Sequence, residues 1–312
     1  MNAPLKQPKA HVLWPAMAVG ISAVASASIL IRMAEAPALV IAVYRVGLAT
    51  LALGPLFVRK SIHSGMRMST ETLQTAMMSG VFLALHFACW IQSLKMTTIA
   101  SSVTLVSTTP IFASLFSRLW LREAFDRRTL AGAVCSMLGG FWVAGSDFSV
   151  SGEALMGDLL AIGGAVMAAG YLVTGRSARG SLDVTTYVFM AYGSAAATLL
   201  LFCVAAEVPL VGLSTRTYLI LGLLALVPQL IGHTTFNWAL RFLPPTIVAV
   251  VLMGEPIGAS FLGYLIFGEA PSWSKAGGLA VLGLGIMLCT LSSQRQRSEE
   301  GPAPAPPSTP AA

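Results

Sequence analysis

Apolar residues run through the chain in blocks of roughly twenty, each closed by a short link rich in polar residues, glycine or proline. At 1.5 Å per helical residue, such a block matches a hydrocarbon core of about 30 Å, so each predicts a membrane-spanning helix. The pattern predicts ten of them, over residues 12–32, 37–58, 72–94, 98–119, 129–146, 155–175, 184–206, 217–240, 246–267 and 276–292. The expected fold class is an all-α polytopic membrane protein. The shortest links lie at 95–97 and 241–245, and Pro244-Pro245 enforces the second, because proline cannot continue a helical hydrogen-bond ladder. The division expected is a short N-terminal stretch (1–11), two five-helix units (12–147 and 155–292) and a tail (293–312). That tail is rich in Pro and Ala and has no apolar face to bury, so it is expected to be disordered.

Composition agrees with a bilayer as solvent. Of the residues, 55% are hydrophobic and 10% charged, where soluble domains carry about 25% charged residues. The formal charge of +6 sits in the links rather than along one polar face, so no nucleic-acid partner is expected. An even number of spans puts both termini on one side. With the termini in the cytoplasm, fourteen of the 19 Lys and Arg residues fall inside, among them Arg59, Lys60, Arg127 and Arg128. Four fall outside (Arg32, Lys95, Arg216, Lys275), and Arg45 stays within a span. This is the positive-inside asymmetry, and it predicts cytoplasmic termini. Cys89, Cys135, Cys203 and Cys289 all lie inside apolar blocks without ligand spacing and read as packing residues; no metal and no cofactor are expected.

The second half repeats the first. A shift of 146 residues pairs Pro110 with Pro256, Glu123 with Glu269, Lys95 with Arg241, Gly132 with Gly278 and Gly139 with Gly285. A unit of five spans is odd, so tandem copies enter the membrane from opposite sides and the repeats are inverted. Inverted halves around a midplane site are a recurrent transporter design, because exchanging the two halves' conformations opens the site to the other side.

A proline in the fourth and ninth spans, each followed thirteen residues later by a glutamate and then by a glycine-bearing helix, resembles the EamA type of the drug/metabolite transporter superfamily. Within it the chain resembles bacterial amino-acid and metabolite exporters, including the YddG-type aromatic amino-acid exporters. The resemblance implies ten helices, a central cavity lined by spans 1, 3, 4, 6, 8 and 9, and efflux of a small metabolite from the bacterial inner membrane, with the protein acting as a monomer. The two halves differ beside the matched prolines, where Thr109 precedes Pro110 and Glu255 precedes Pro256, and the register drifts toward their N-terminal ends, Tyr44 matching Tyr192 at a shift of 148.

Charged groups deep in a bilayer cost at least ~2.5–3.5 kcal/mol, so those retained are functional candidates. Glu255 lies mid-span between Gly254 and Pro256; it reads either as a ligand for a substrate ammonium or a proton carrier, or as a structural partner of Arg45. Arg45, in a span outside the implied lining, reads as an ion-pair member or interfacial anchor rather than a carboxylate ligand. His86 and His233 fall one residue apart in the repeat register, which suits recognition or proton coupling as well as packing. Trp90 is a candidate cavity wall, joined by Gln92, Phe236 and Asn237, while Trp238 reads as an interfacial aromatic. Ser101, Thr104 and Thr108 share a helical face and form a candidate wet stripe, and Tyr171 stands on span 6. The substrate-binding candidates are thus His86, Trp90, Ser101, Thr104, Thr108, Tyr171, His233 and Glu255. Pro110, Pro256, Glu123 and Glu269 read as structural, the glutamates capping the helices that follow.

Three functions compete: export of amino acids or similar metabolites, efflux of drugs or other metabolites, and an intramembrane enzyme. No HExxH, GxSxG, GxGD or paired acidic metal cluster occurs, and no Walker motif. The chain is therefore read as a secondary carrier and not an enzyme, with a small molecule and the lipid bilayer as its partners.

Overall fold

The computed structural model describes residues 8–64, 68–122, 127–144, 152–267 and 272–299, and within these the chain is helix and turn without strand. Ten helical segments follow in chain order among the described residues. They are α1 (Ala10–Val24, then Ala27–Met33), α2 (Ala38–Ser64), α3 (Thr70–Met96), α4 (Ile99–Val106, Thr109–Phe116, Ser117–Leu121) and α5 (Arg127–Ala144). The second half contributes α6 (Gly152–Ser181), α7 (Val184–Ala205), α8 (Thr215–Leu224, Ala225–His233, Thr234–Ala239), α9 (Pro245–Leu252, Glu255–Phe267) and α10 (Trp273–Glu299). Eight of them are long and apolar enough to cross a bilayer. The other two are α4, which is interrupted at Ser107–Thr108, and α5, an 18-residue helix with Arg127 and Arg128 in its first turn.

Local chemistry sets the starts. Ser69, Thr98, Asp183 and Ser214 precede α3, α4, α7 and α8, and each accepts through its side chain from a backbone N–H three residues on, at 3.0–3.2 Å. Each cap satisfies a donor that the helix itself leaves unpaired. The outward faces are apolar rather than charged: Leu51 on α2 is 73% exposed, Leu201 on α7 69% and Leu219 on α8 67%. Faces of this kind suit hydrocarbon, where every backbone polar group is already satisfied within its helix.

The two halves meet along α5 and α10. A Cβ on Gly132 would lie 2.9 Å from the Gly285 carbonyl oxygen, and one on Gly139 would lie 2.8 Å from that of Gly278. These are the repeat-matched glycines, crossed over: each touches the mate of the other. The Cys135 thiol approaches the carbonyl of Val281 and the Ser136 hydroxyl that of Leu282, both pairs 146 residues apart. Contacts that run up one helix while running down the other make the pair antiparallel. A residue meeting its own repeat mate marks a pseudo-twofold axis, the geometry that inverted copies require.

The sequence pattern predicts α4 and α9 as unbroken helices, yet both are broken, at Ser107–Thr108 and Met253–Gly254. Those positions match at the same shift of 146. Pro110 and Pro256 fall in the first turn of the second piece, where a missing N–H removes no helical bond. Around the breaks the symmetry stops. The Pro245–Leu252 piece of α9 packs on the Thr109–Phe116 piece of α4, with the Ser114 and Thr246 hydroxyls 3.3 Å apart. No comparable packing joins Ile99–Val106 to Glu255–Phe267 among the described residues.

A further irregularity is a π-helical stretch in α8, Ala225–His233, which contains Pro228. The Thr234 N–H bonds the Gln229 carbonyl five residues back. Proline's missing donor favours this wider turn, which brings both Gln229 and His233 into the interior.

Candidate functional site

Both helix breaks open on one mid-molecule cavity. It is lined from α1 (Val24), α3 (His86, Trp90), α4 (Ser107, Thr109), α6 (Tyr171), α8 (His233, Phe236) and α9 (Met253, Glu255). These are the six helices that the family resemblance implies. The space open to the centre of a water-sized sphere is about 70 Å³, several times the ~10–15 Å³ that holds one water.

The cavity wall is aromatic with a few polar atoms left over. The His86 and Trp90 rings are parallel within 5° at 5.8 Å, and His233 packs edge-on to Phe87 at 5.5 Å and faces Tyr171 at 6.5 Å. His86 Nδ1 lies 2.9 Å from the Gly164 carbonyl oxygen. A carbonyl only accepts, so Nδ1 carries the proton, and a neutral ring then presents Nε2 as an acceptor. Trp90 Nε1 and Glu255 Oε1 are buried without a hydrogen-bond partner. Ser28 on α1 lies beside the Glu255 carboxyl, but its hydroxyl makes no hydrogen bond of good geometry.

One layer behind this wall sits Arg45, fully buried on α2. Its Nε donates to Gln229 Oε1 at 2.8 Å, and its guanidinium carbon stands 4.2 Å from the Phe87 ring centroid and 6.0 Å from that of Trp90. Such stacking partly compensates a cation removed from water. Nη1 and Nη2 have no hydrogen-bond partner. The sequence expectation of an ion pair or an interfacial anchor is corrected here. Arg45 lies in the interior, and no carboxylate approaches it within 4 Å among the described residues, although it feels the field of Glu255. Aromatic stacking and the Gln229 amide hold it instead.

A second network fixes the helices around the site. The Tyr171 hydroxyl donates to Asn237 Oδ1 at 2.8 Å, and Asn237 Nδ2 donates to the Tyr192 hydroxyl at 3.1 Å. The Ser79 hydroxyl lies 2.6 Å from that of Tyr187 and donates to the Tyr171 carbonyl at 3.1 Å. Asn237 therefore spends its amide on joining α6, α7 and α8, and Phe236 is the member of that pair which reaches the cavity. Trp238 packs its ring on Phe242.

Of the eight predicted binding residues, the structure brings His86, Trp90, Tyr171, His233 and Glu255 into the one cavity. Ser101, Thr104 and Thr108 lie elsewhere. Ser101 donates to Asp158 at 2.9 Å, Thr104 to the Gly140 carbonyl at 3.1 Å and Thr108 to the Leu105 carbonyl at 2.6 Å. The break separates Thr108 from the periodicity of the other two, whose hydroxyls are taken up by neighbouring helices, and Ser107 and Thr109 line the cavity. Sequence reasoning missed Gln229, whose signal is a polar residue beside a mid-span proline. Glu123 and Glu269 lie outside the described residues.

Away from the cavity, Lys60 on α2 pairs with Asp183 before α7 at 2.7 Å. Burial pushes the Asp183 carboxyl up, but hydrogen bonds from Lys60 and Thr186 outweigh it and hold it below the usual carboxylate range. Arg179 donates to the backbone carbonyls of Asn237 and Leu182, and Arg176 to that of Leu240. The end of α6 is thereby tied to the end of α8.

The sequence pattern of the EamA-like transporter family matches the chain twice, over residues 11–145 and 155–291. Solute carrier family 35 member G1 of Mus musculus is 25% identical over 213 residues, a match covering 64% of this chain and 56% of that protein. The chain thus spans about half the length of this curated relative. A solved crystal structure of a protein superposes with a TM-score of 0.75 at 18% identity, covering 92% of this chain and 100% of the other. At that identity the likeness is one of fold.

Proposed function

The chain belongs to the EamA-like transporter family, and from that premise we propose that it is a secondary transporter exporting amino acids, aromatic ones included, or similar small metabolites. In this reading it is a monomer of ten spans in two inverted repeats, set in a bacterial inner membrane with both termini in the cytoplasm. The observation that carries the reading is the shared cavity. Polar residues of both repeats face one small space, and it lies where α4 and α9 are broken at matched positions. Alternating access is supported by the unequal packing of those two helices. One pair of pieces is packed together and the mated pair is not comparably packed among the described residues, so exchanging the two arrangements would move the opening across the membrane. The cytoplasmic location of the termini rests on the distribution of Lys and Arg.

Efflux of hydrophobic cations is the second reading, favoured by aromatic walls around a single buried carboxylate. Uptake of radiolabelled amino acids, aromatic and aliphatic, into liposomes holding the purified protein decides between them. Saturable, protein-dependent flux of at least one amino acid is expected, and its response to an imposed pH gradient distinguishes facilitated from proton-coupled transport. Folded protein that moves none of them would transfer the assignment to hydrophobic cations.

A further inference from the structure

The polar atoms left unpaired around the cavity are of unequal kinds. Arg45 Nη1 and Nη2, Gln229 Nε2 and Trp90 Nε1 are buried donors without partners, and Glu255 Oε1 is a buried acceptor without one. Each guanidinium nitrogen and the amide nitrogen carry two N–H bonds, and the indole carries one. The unpaired donors therefore outnumber the unpaired carboxylate acceptor around one fixed positive charge. Leaving such donors unmet in an apolar interior is costly, and the field of Glu255 reaches Arg45 without meeting its hydrogen-bonding needs.

Arg45 and Gln229 are already coupled by the 2.8 Å bond from Nε to Oε1, which leaves the amide nitrogen and both terminal guanidinium nitrogens without partners. A planar carboxylate, with two oxygens that accept in parallel, is the group that a guanidinium fork binds best. The Phe87 and Trp90 rings lie against the guanidinium, and His233 packs on Phe87 in turn. Two of these, Trp90 and His233, line the cavity themselves, so the guanidinium lies a single side-chain layer from it.

We infer that Arg45 and Gln229 form an anchor for a substrate carboxylate, with Glu255 across the cavity taking the substrate's ammonium group, so that the cargo is a zwitterion of the amino-acid class. The inference rests on the amino-acid reading above and adds to it a residue of α2, a helix outside the cavity lining. Substrate entry displaces the Trp90 ring, and its carboxylate meets the donors that the empty protein leaves unpaired.

The test compares inhibition of flux by an amino acid, by its carboxamide and by its deaminated acid, in protein reconstituted into liposomes. In the unmodified protein the carboxamide is expected to compete roughly tenfold to a hundredfold less well than the amino acid. Arg45→Gln should abolish that preference while retaining the penalty for the missing ammonium. A second variant keeps the test open should Arg45→Gln fail to fold: Gln229→Glu is nearly isosteric and supplies a built-in carboxylate against Arg45. It is expected to fold at least as well as the unmodified protein and to lose the preference for the amino acid. Flux without a carboxylate preference, or a preference unchanged in both variants, overturns the anchor and leaves the transport reading standing. Absence of flux and of binding for every carboxylate-bearing probe overturns both.

Discussion

Two of the helix pairs that cross between the repeats, α5 with α10 and α4 with α9, descend from the same shift of 146 residues and end in opposite conditions. The first pair kept its symmetry. Glycines meet the mates of their partners, Cys135 and Ser136 meet their own, and backbones approach so closely that a Cβ at Gly139 would collide with the Leu282 nitrogen. The second pair has matched breaks and matched prolines but packs at one end only. A duplicated sequence can therefore supply both a closely packed seam and a broken, unequally packed crossing. Close backbone contact holds the seam in one arrangement, and the proposed alternating access assigns the gate to the crossing that lacks such contact.

The sharpest way to break this comparison is to widen the seam. Gly139→Leu forces backbone from backbone, costs on the order of 3 kcal/mol or more, and should sharply reduce the yield of monodisperse protein; a normal elution profile and melting temperature would show that the seam is not tightly fixed. Next comes the gate. Ser114→Cys with Thr246→Cys, at hydroxyls 3.3 Å apart, should cross-link on oxidation, stop flux in intact protein and release it on reduction. Flux that persists in fully cross-linked protein would mean that this end of α4 and α9 never needs to part.

A smaller effect is expected inside the cavity. Glu255→Gln should lower flux roughly tenfold with elution and melting unchanged, and flux identical to the unmodified protein at every pH would remove Glu255 from transport. The smallest concerns the Lys60–Asp183 pair, which is partly exposed and worth about 0–1 kcal/mol. Asparagine caps a helix as well as aspartate, so Asp183→Asn isolates the charge. The folded carboxyl titrates below its unfolded value of about 3.9. Its stabilisation is thus present above that pH and is lost as pH falls through the folded value. Melting curves from pH 7 to pH 3 should show a slightly shallower loss in Asp183→Asn, and identical slopes would mean the pair contributes nothing.

Much of this architecture can be read in the chain before any coordinates. Every apolar block is helical, and polar or proline links such as Pro244-Pro245 mark the turns. Five of the predicted site residues converge because a polar group held in mid-span has few places to go except a cavity. The hydroxyl stripe of Ser101, Thr104 and Thr108 behaves differently: Ser101 and Thr104 bond to residues of other helices, and Thr108, at the break, bonds back to the Leu105 carbonyl. Arg45 is the subtler case. Its mid-span position announces a partner, but which partner depends on Phe87, Trp90 and Gln229 from two other helices, the last brought inside by a π-turn at Pro228.

The sequence by itself determined the helical class, the duplication and the polar residues eligible for a site, because hydrophobic length and the cost of charge in a bilayer act on each segment separately. Only the tertiary structure decided where α4 and α9 break, which end of their crossing is closed, and that the guanidinium of Arg45 is held by rings and an amide rather than by a carboxylate. Those outcomes depend on contacts between segments distant along the chain. Two copies of one pattern can share the same local preferences, and still only one end of their crossing is packed.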